Sequence, residues 1–168
     1  MDELTGLPTH LDLPEALAEL RGDDPSAGLT AILFDVDGMI WVNDQRGHLE
    51  GDSVLARVGR WLESRARQVQ GKAFRIAGDE FLLLLPGHSV DHALALAREV
   101  VFDCERLRIP YARRDDDRDF LALNAAVFAA SAGFEHQIAQ LRDAAAQAIY
   151  DAKLAQGQRF SVVATTEF

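Results

Sequence analysis

The sequence predicts an α/β (α+β) fold, a mixed central sheet of about five strands flanked by helices. Three observations carry that expectation. Residues 29–34 are apolar apart from Thr30, as in a strand buried on both faces. Residues 73–76 and 81–85 are apolar runs separated by the short polar segment Ala77-Gly78-Asp79-Glu80, the pattern of a β-hairpin with a Gly-Asp pair for its tight turn. Elsewhere apolar residues recur at helical spacing, in segments that alternate with these runs.

Taken in order, Pro14 follows Asp12-Leu13 at a helix start, Leu13, Ala16, Leu17 and Leu20 mark one helical face, and Gly22 ends it. Asp23-Asp24-Pro25-Ser26 reads as a loop. The buried strand 29–34 is followed by a polar, Gly-containing stretch over 43–51. A helix is expected from Asp52 or Ser53 onward, with Val54, Leu55, Val58, Trp61 and Leu62 on one face. The hairpin follows, its second strand central because residues 82–85 are all leucine. A helix is predicted over 90–107, an exposed charged loop over 113–119, a strand over 120–129, a long Ala-rich helix over 137–155 and a short last strand over 160–163.

Composition narrows the function. The 168 residues suit one domain, and 17 basic against 27 acidic residues give a net charge of −10. That balance argues against a sequence-independent nucleic-acid binder, which needs a basic face. A polyphosphate ligand would need local help from metal ions, Lys or Arg side chains, or a helix N-terminus. The single cysteine, Cys104, excludes an intrachain disulfide. No apolar run approaches the roughly 20 residues that cross a bilayer, and the acidic start Met1-Asp2-Glu3-Leu4 lacks the basic region of a secretory signal. A cytoplasmic address with no membrane segment is the expectation.

Asp35 and Asp37 end the first strand. Because a strand alternates its faces, the two carboxylates point the same way. Such a pair is costly unless solvated, hydrogen-bonded or bound to a hard cation such as Mg²⁺. Spacing alone leaves both metal binding and solvated loop carboxylates open. Ile32-Leu33-Phe34-Asp35-Val36-Asp37-Gly38 also resembles motif I of the haloacid dehalogenase phosphatases. Met39 stands where that family prefers Thr or Val, however, and Gly78-Asp79-Glu80 is not followed by its further Asp.

The string Asn43-Asp44-Gln45-Arg46-Gly47-His48-Leu49-Glu50-Gly51-Asp52 has no use in a phosphatase. It resembles the N-D-x-x-G-H-x-x-G-D element of GGDEF domains. Arg75-Ile76-Ala77-Gly78-Asp79-Glu80-Phe81 resembles that family's R-x-G-G-D-E-F signature, with Ala77 for the first Gly. Asp2-Glu3-Leu4-Thr5-Gly6-Leu7-Pro8 resembles its entry motif, and Ala148-Ile149-Tyr150-Asp151-Ala152-Lys153 its A-L-Y-x-A-K helix. The four elements stand in the family's order and span nearly the whole chain. The resemblance implies a single GGDEF domain over 1–168, with an entry segment 1–10 and a core 11–168. It also implies a fold similar to the nucleotidyl-cyclase and polymerase palm, with the hairpin carrying the signature.

The implied activity is that of a diguanylate cyclase, which condenses two GTP into cyclic di-GMP and two pyrophosphates at the interface of a homodimer. The resemblance makes Asp35, Asp79 and the Val36 carbonyl the ligands of two Mg²⁺ (or Mn²⁺) ions per active site. One ion would activate the attacking 3′-hydroxyl and the other would steady the triphosphate. Asp79, Glu80 and Asp35 are the implied catalytic residues, Glu80 as a metal ligand or a support for the base. Gly78 would let the backbone approach the nucleotide. Asn43 and Asp52 would read the guanine, a carboxylate accepting from N1–H and the 2-amino group and an amide pairing with O6 or N3. Lys153 and Arg159 would meet phosphates. Read without the resemblance, Asp79 and Glu80 are acids of an ordinary hairpin turn, Asp52 is a helix N-cap and Lys153 an exposed helix lysine.

Several positions depart from the pattern. Ile40 stands where a phosphate-contacting Lys is common. Arg159 sits one or two residues out of step. Residues 121–126 lack the usual S-x-G, a change expected to bear on packing. The R-x-x-D of product inhibition is replaced by Gln68-Val69-Gln70-Gly71, so no high-affinity product site is expected there. A second function class therefore stays open: a catalytically weak or inactive module that binds GTP and signals through partners. An upstream sensory domain or partner is expected in either case.

Overall fold

A computed structural model describes residues 1–22, 28–110, 120–130, 133–156 and 162–164. The chain runs α1 (Leu13–Arg21), β1 (Leu29–Asp37), α2 (Met39–Arg46), α3 (His48–Gln68), β2 (Lys72–Ala77), β3 (Glu80–Pro86), α4 (Val90–Asp103), β4 (Ala122–Ala130), α5 (Ile138–Gln156) and β5 (Val162–Ala164). The strands form one five-stranded sheet in the order β2-β3-β1-β4-β5. All pairings are antiparallel except β4 with β5, so the sheet is mixed, as the alternation of elements predicts.

β1 lies in the middle, and its two-sided burial explains the nearly continuous apolar run. Ile32, Phe34 and Val36 face a core built with Val54, Val58 and Leu62 of α3 and Ala93, Ala97 and Val100 of α4. Leu29, Ala31 and Leu33 face the opposite core, with Leu13 and Leu17 of α1 and Leu141, Ala145 and Ile149 of α5. The result is a sheet between two helical layers.

The main departure from expectation lies between β1 and β2. The polar stretch 43–51 is helical throughout apart from Gly47. α2 occupies Met39–Arg46, and α3 begins at His48, not at Asp52 or Ser53. Only Met39 and Val42 of α2 are buried, so the helix has too narrow an apolar face to announce itself. Gly47 alone reverses the chain, at φ 81°, a conformation that costs a side-chain-bearing residue dearly. The helix expected over 90–107 ends as α-helix at Asp103 and continues as a 3₁₀ turn, Cys104–Leu107.

Candidate active site

The site is assembled by period-two alternation at the end of the sheet. Leu29, Ala31 and Leu33 face α5's side, and the next two residues on that face of β1 are Asp35 and Asp37. On β3 the face of Leu82 and Leu84 continues to Glu80, and on β4 the face of Ala126 and Phe128 continues to Asn124. Register then aligns them: Asp35 pairs directly with Glu80 on one side and with Asn124 on the other. The expectation that Asp35 and Asp37 share a face is met.

α5 closes this face. Arg142, Ala145, Ile149 and Lys153 recur at helical spacing, and with Asp35, Glu80 and Asn124 they line a cavity of about 220 Å³. Lys153 Nζ donates to Asp37 Oδ1 at 3.3 Å. Arg142 donates from Nε to Glu80 Oε2. The fully buried Asn124 donates from Nδ2 to Asp35 Oδ2 at 3.2 Å. The S-x-G replacement, expected to concern packing, thus places a polar contact on the central carboxylate. Asn124 and Arg142 are the residues that sequence reasoning passed over. They lie 89 and 62 positions from their partners; strand register brings in Asn124, and the packing of α5 on the sheet brings in Arg142.

Burial pushes the Asp35 carboxyl above its ordinary value, and the negative charges of Asp79 and Asp37 push it further. The Asn124 hydrogen bond and the Lys153 charge pull the other way. A carboxylate desolvated among other acids suits a cation ligand.

The hairpin turn is docked on this group. Its residues Gly78 and Asp79 lie between paired Ala77 and Glu80, and Gly78 holds φ 46° with open space beside its Cα. The backbone N–H of Val36 donates to the Asp79 carbonyl at 3.1 Å. A strand residue sends its N–H and C=O to the same edge, so the Val36 carbonyl also faces the turn. Ala77 is accommodated as an ordinary strand residue, and among the described residues only Gln70 and Arg108 are non-glycines at positive φ. Arg75 braces the turn from outside. Its Nε and one terminal nitrogen donate to the Gly78 carbonyl at 3.0 and 2.7 Å, while the other reaches both Asp2 carboxylate oxygens at 3.0 and 3.1 Å. The Asp2 carboxylate also accepts from Thr5 N–H and Oγ1, tying the entry segment to the signature.

A sequence profile described as "Diguanylate cyclase, GGDEF domain" matches residues 1–159. The chain belongs to the GGDEF-domain family.

Among curated proteins the domain is 36% identical over 101 residues to the probable diguanylate cyclase DgcI of Escherichia coli K12, covering 60% of this chain and 22% of that one. It is 29% identical over 155 residues to the diguanylate cyclase DosC of the same strain, covering 91% of this chain and 33% of DosC. The chain therefore spans between about a fifth and a third of these relatives. Among solved structures, Pseudomonas aeruginosa diguanylate cyclase SiaD, determined with its activator SiaC, aligns with a TM-score of 0.73 at 30% identity, over 98% of this chain and 61% of that one. The coiled coil and GGDEF domain of Caulobacter crescentus DgcB, determined with c-di-GMP, also aligns with a TM-score of 0.73, at 20% identity over 98% of this chain and 85% of that one. The fold is that of the family.

The remaining candidate residues of this GGDEF domain form a second group. Asn43 lies on α2, half-buried, and Asp52 is an exposed residue of the first turns of α3. Asp52 is therefore not an N-cap. α2 and α3 pack so that the Asn43 side chain lies over Gly51, the residue that precedes Asp52 in the chain. The chain links this group to the carboxylates through Gly38, the residue that joins β1 to α2. Arg159 lies outside the described residues. Ile40 is 74% exposed, an apolar side chain in the first turn of α2. Among the described residues no three His, Cys, Asp or Glu side chains converge on a metal site, and no helix is long and apolar enough to cross a membrane.

Proposed function

We propose that the chain is a diguanylate cyclase domain that condenses two GTP into cyclic di-GMP and two pyrophosphates, acting in the cytoplasm as a homodimer. The observation that carries this reading is the docking of the signature turn on the central strand. Asp35 lies opposite Glu80, and the Val36 N–H is bonded to the Asp79 carbonyl.

The donor set fits hard divalent cations. Mg²⁺ is commonly held by one or two carboxylates and completes its shell with substrate phosphates and water, so two carboxylates and a carbonyl suffice without a third acidic residue. Asp35, Asp79 and the Val36 carbonyl would hold Mg²⁺ or Mn²⁺, two ions per active site. When bound, these ions supply charge neutralisation of the triphosphate and acidification of the attacking 3′-hydroxyl.

The protein's own residues do the rest. Asn43 and Asp52 orient the guanine, the carboxylate favouring the base that carries N1–H and a 2-amino group. The first turn of α2 starts two residues after Asp37 and directs backbone N–H groups at a phosphate, a role helix N-termini fill without a cationic side chain. Lys153, already within reach of Asp37, turns to the terminal phosphates. Glu80, held by Arg142 and paired across the sheet with Asp35, serves as a metal ligand or as a support for the base. Each domain presents one GTP, so two domains must face each other for the two 3′-hydroxyls to reach the two α-phosphates.

Gly71 supports the absence of a product-inhibition site. A Cβ there would lie 2.5 Å from the Leu84 carbonyl oxygen, so the aspartate of an R-x-x-D cannot be seated without moving backbone.

The test is incubation with GTP and Mg²⁺ followed by product identification. Cyclic di-GMP with pyrophosphate is expected, and Asp79→Ala and Glu80→Ala should abolish it. GTP bound but recovered intact would instead identify a binding module that signals through a partner.

A further inference from the structure

Gly51 sits inside α3, with its N–H bonded to the Gly47 carbonyl, and is buried against α2. A Cβ built on it would lie 1.9 Å from Asn43 Oδ1, 3.1 Å from Asn43 Cγ and 3.4 Å from Met39 Cε. The first distance is impossible for real atoms, so the place now taken by the Asn43 amide exists only because residue 51 has no side chain. Glycine is a poor choice for a helix interior on propensity alone. Its φ is not in the left-handed region, so no backbone requirement explains it.

We propose that Gly51 is a positioning residue for nucleotide recognition, clearing the space in which the Asn43 amide is held beside Asp52. The end of the Asn43 side chain lies in the space a side chain at residue 51 would fill, so its position depends on that space staying open. Asn43 and Asp52 come from different helices, so the packing of α2 on α3 sets the spacing of the two groups. Any Cβ at residue 51 pushes the amide out. The atom displaced is the end of a flexible side chain, so the fold survives while the recognition geometry does not. The inference rests on the proposed guanine-reading role of Asn43 and adds the residue that makes that role possible.

The experiment is a double-mutant cycle on the full chain. Wild type, Asn43→Ala, Gly51→Ala and the double variant are titrated calorimetrically with the α-thio analogue of GTP in the presence of Mg²⁺, and each is melted without nucleotide. Asn43→Ala is expected to weaken binding about ten-fold, the scale of one well-placed hydrogen bond. Gly51→Ala should weaken it to a similar degree with no fall in melting temperature, because alanine is the better helix former. The double variant should bind as Asn43→Ala does. If Asn43→Ala weakens binding and Gly51→Ala does not, the inference is overturned and the guanine assignment stands. It is also overturned if Gly51→Ala costs as much in the Asn43→Ala background as in wild type, since the effect then does not pass through Asn43. If Asn43→Ala binds as wild type does, the guanine assignment itself fails, and Gly51 has nothing to position.

Discussion

Asp35 opposes folding in the ligand-free protein. Burial, followed by the charges of Asp79 and Asp37, raises its pKa in the folded state above the ordinary value of 3.8. A group raised in this way favours folding only while protonated. Its contribution is complete below the unfolded value and is lost as pH rises through the folded one, so ionising Asp35 is a net cost to folding. Asp35→Asn keeps the shape and an oxygen that accepts from Asn124. Its melting temperature at pH 7.5 should equal or exceed that of wild type, the difference should close as pH falls below about 3.8, and product formation should be absent. A lower melting temperature at pH 7.5 would contradict the account. Asn124 acts in the opposite sense, since its hydrogen bond favours the charged carboxylate. Asn124→Ala should therefore raise the Asp35 pKa further and move the acid limb of the rate profile to higher pH, read from initial rates across a buffer series. Asp35 and Glu80 are legible in the sequence because each interrupts an apolar run. Asn124 is not, because its meaning depends on a strand pairing that no local pattern encodes.

At the scale of elements, the hairpin is held by contacts that reach across the chain. Arg75 bonds the Gly78 carbonyl on one side and Asp2 on the other, and Asp2 is further tied to Thr5. Burial alone would raise the Asp2 carboxyl, but the hydrogen bonds from Thr5 and Arg75 outweigh it and hold the group below 3.8. The stabilisation is present above the unfolded value and lost as pH falls through the folded one, so the brace should open only in acid. Asp2→Ala should release the turn near neutral pH, seen as faster hydrogen exchange at residues 77–80 and about 1–2 kcal/mol lower stability. Unchanged exchange there would show that Arg75 alone suffices. At the other end of β2, Gly71→Asp should destabilise by about 1–3 kcal/mol, because the added atoms meet the Leu84 carbonyl. Combining it with Gln68→Arg should not restore product inhibition. The strands of these elements were readable because both faces of β1 and β3 are buried and their runs are apolar except for Thr30. α2 was not, because it buries only Met39 and Val42 and its polar residues look like a loop until Gly47 is seen to reverse the chain within one residue.

For the molecule as a whole, the central position of β1 makes the two helical layers interdependent, since each packs on alternate residues of one strand. Opening either layer exposes β1, so the protein should unfold as one cooperative unit. Cys104 offers a direct reading of that property. It follows α4, is 2% exposed, and its Sγ lies 3.7 Å from the Leu121 carbonyl ahead of β4, so it bridges a helical layer to the sheet. Burial and the neighbouring Glu105 charge push the thiol up to about 12, and at pH 8 it is almost wholly protonated and shielded. A thiol reagent such as dithiobis-nitrobenzoate should therefore react only through opened molecules. The rate should be slow in buffer, become immediate in denaturant and track the global unfolding free energy in between. The α-thio analogue of GTP with Mg²⁺ should slow it further although Cys104 is buried away from the surface, because a ligand that binds only the folded state lowers the population of every globally opened one. Protection by nucleotide would tie the α4–β4 seam energetically to the site at the end of β1. Rapid labelling in native buffer, with nucleotide making no difference, would instead show that the seam opens locally and that the two layers are not coupled through the sheet.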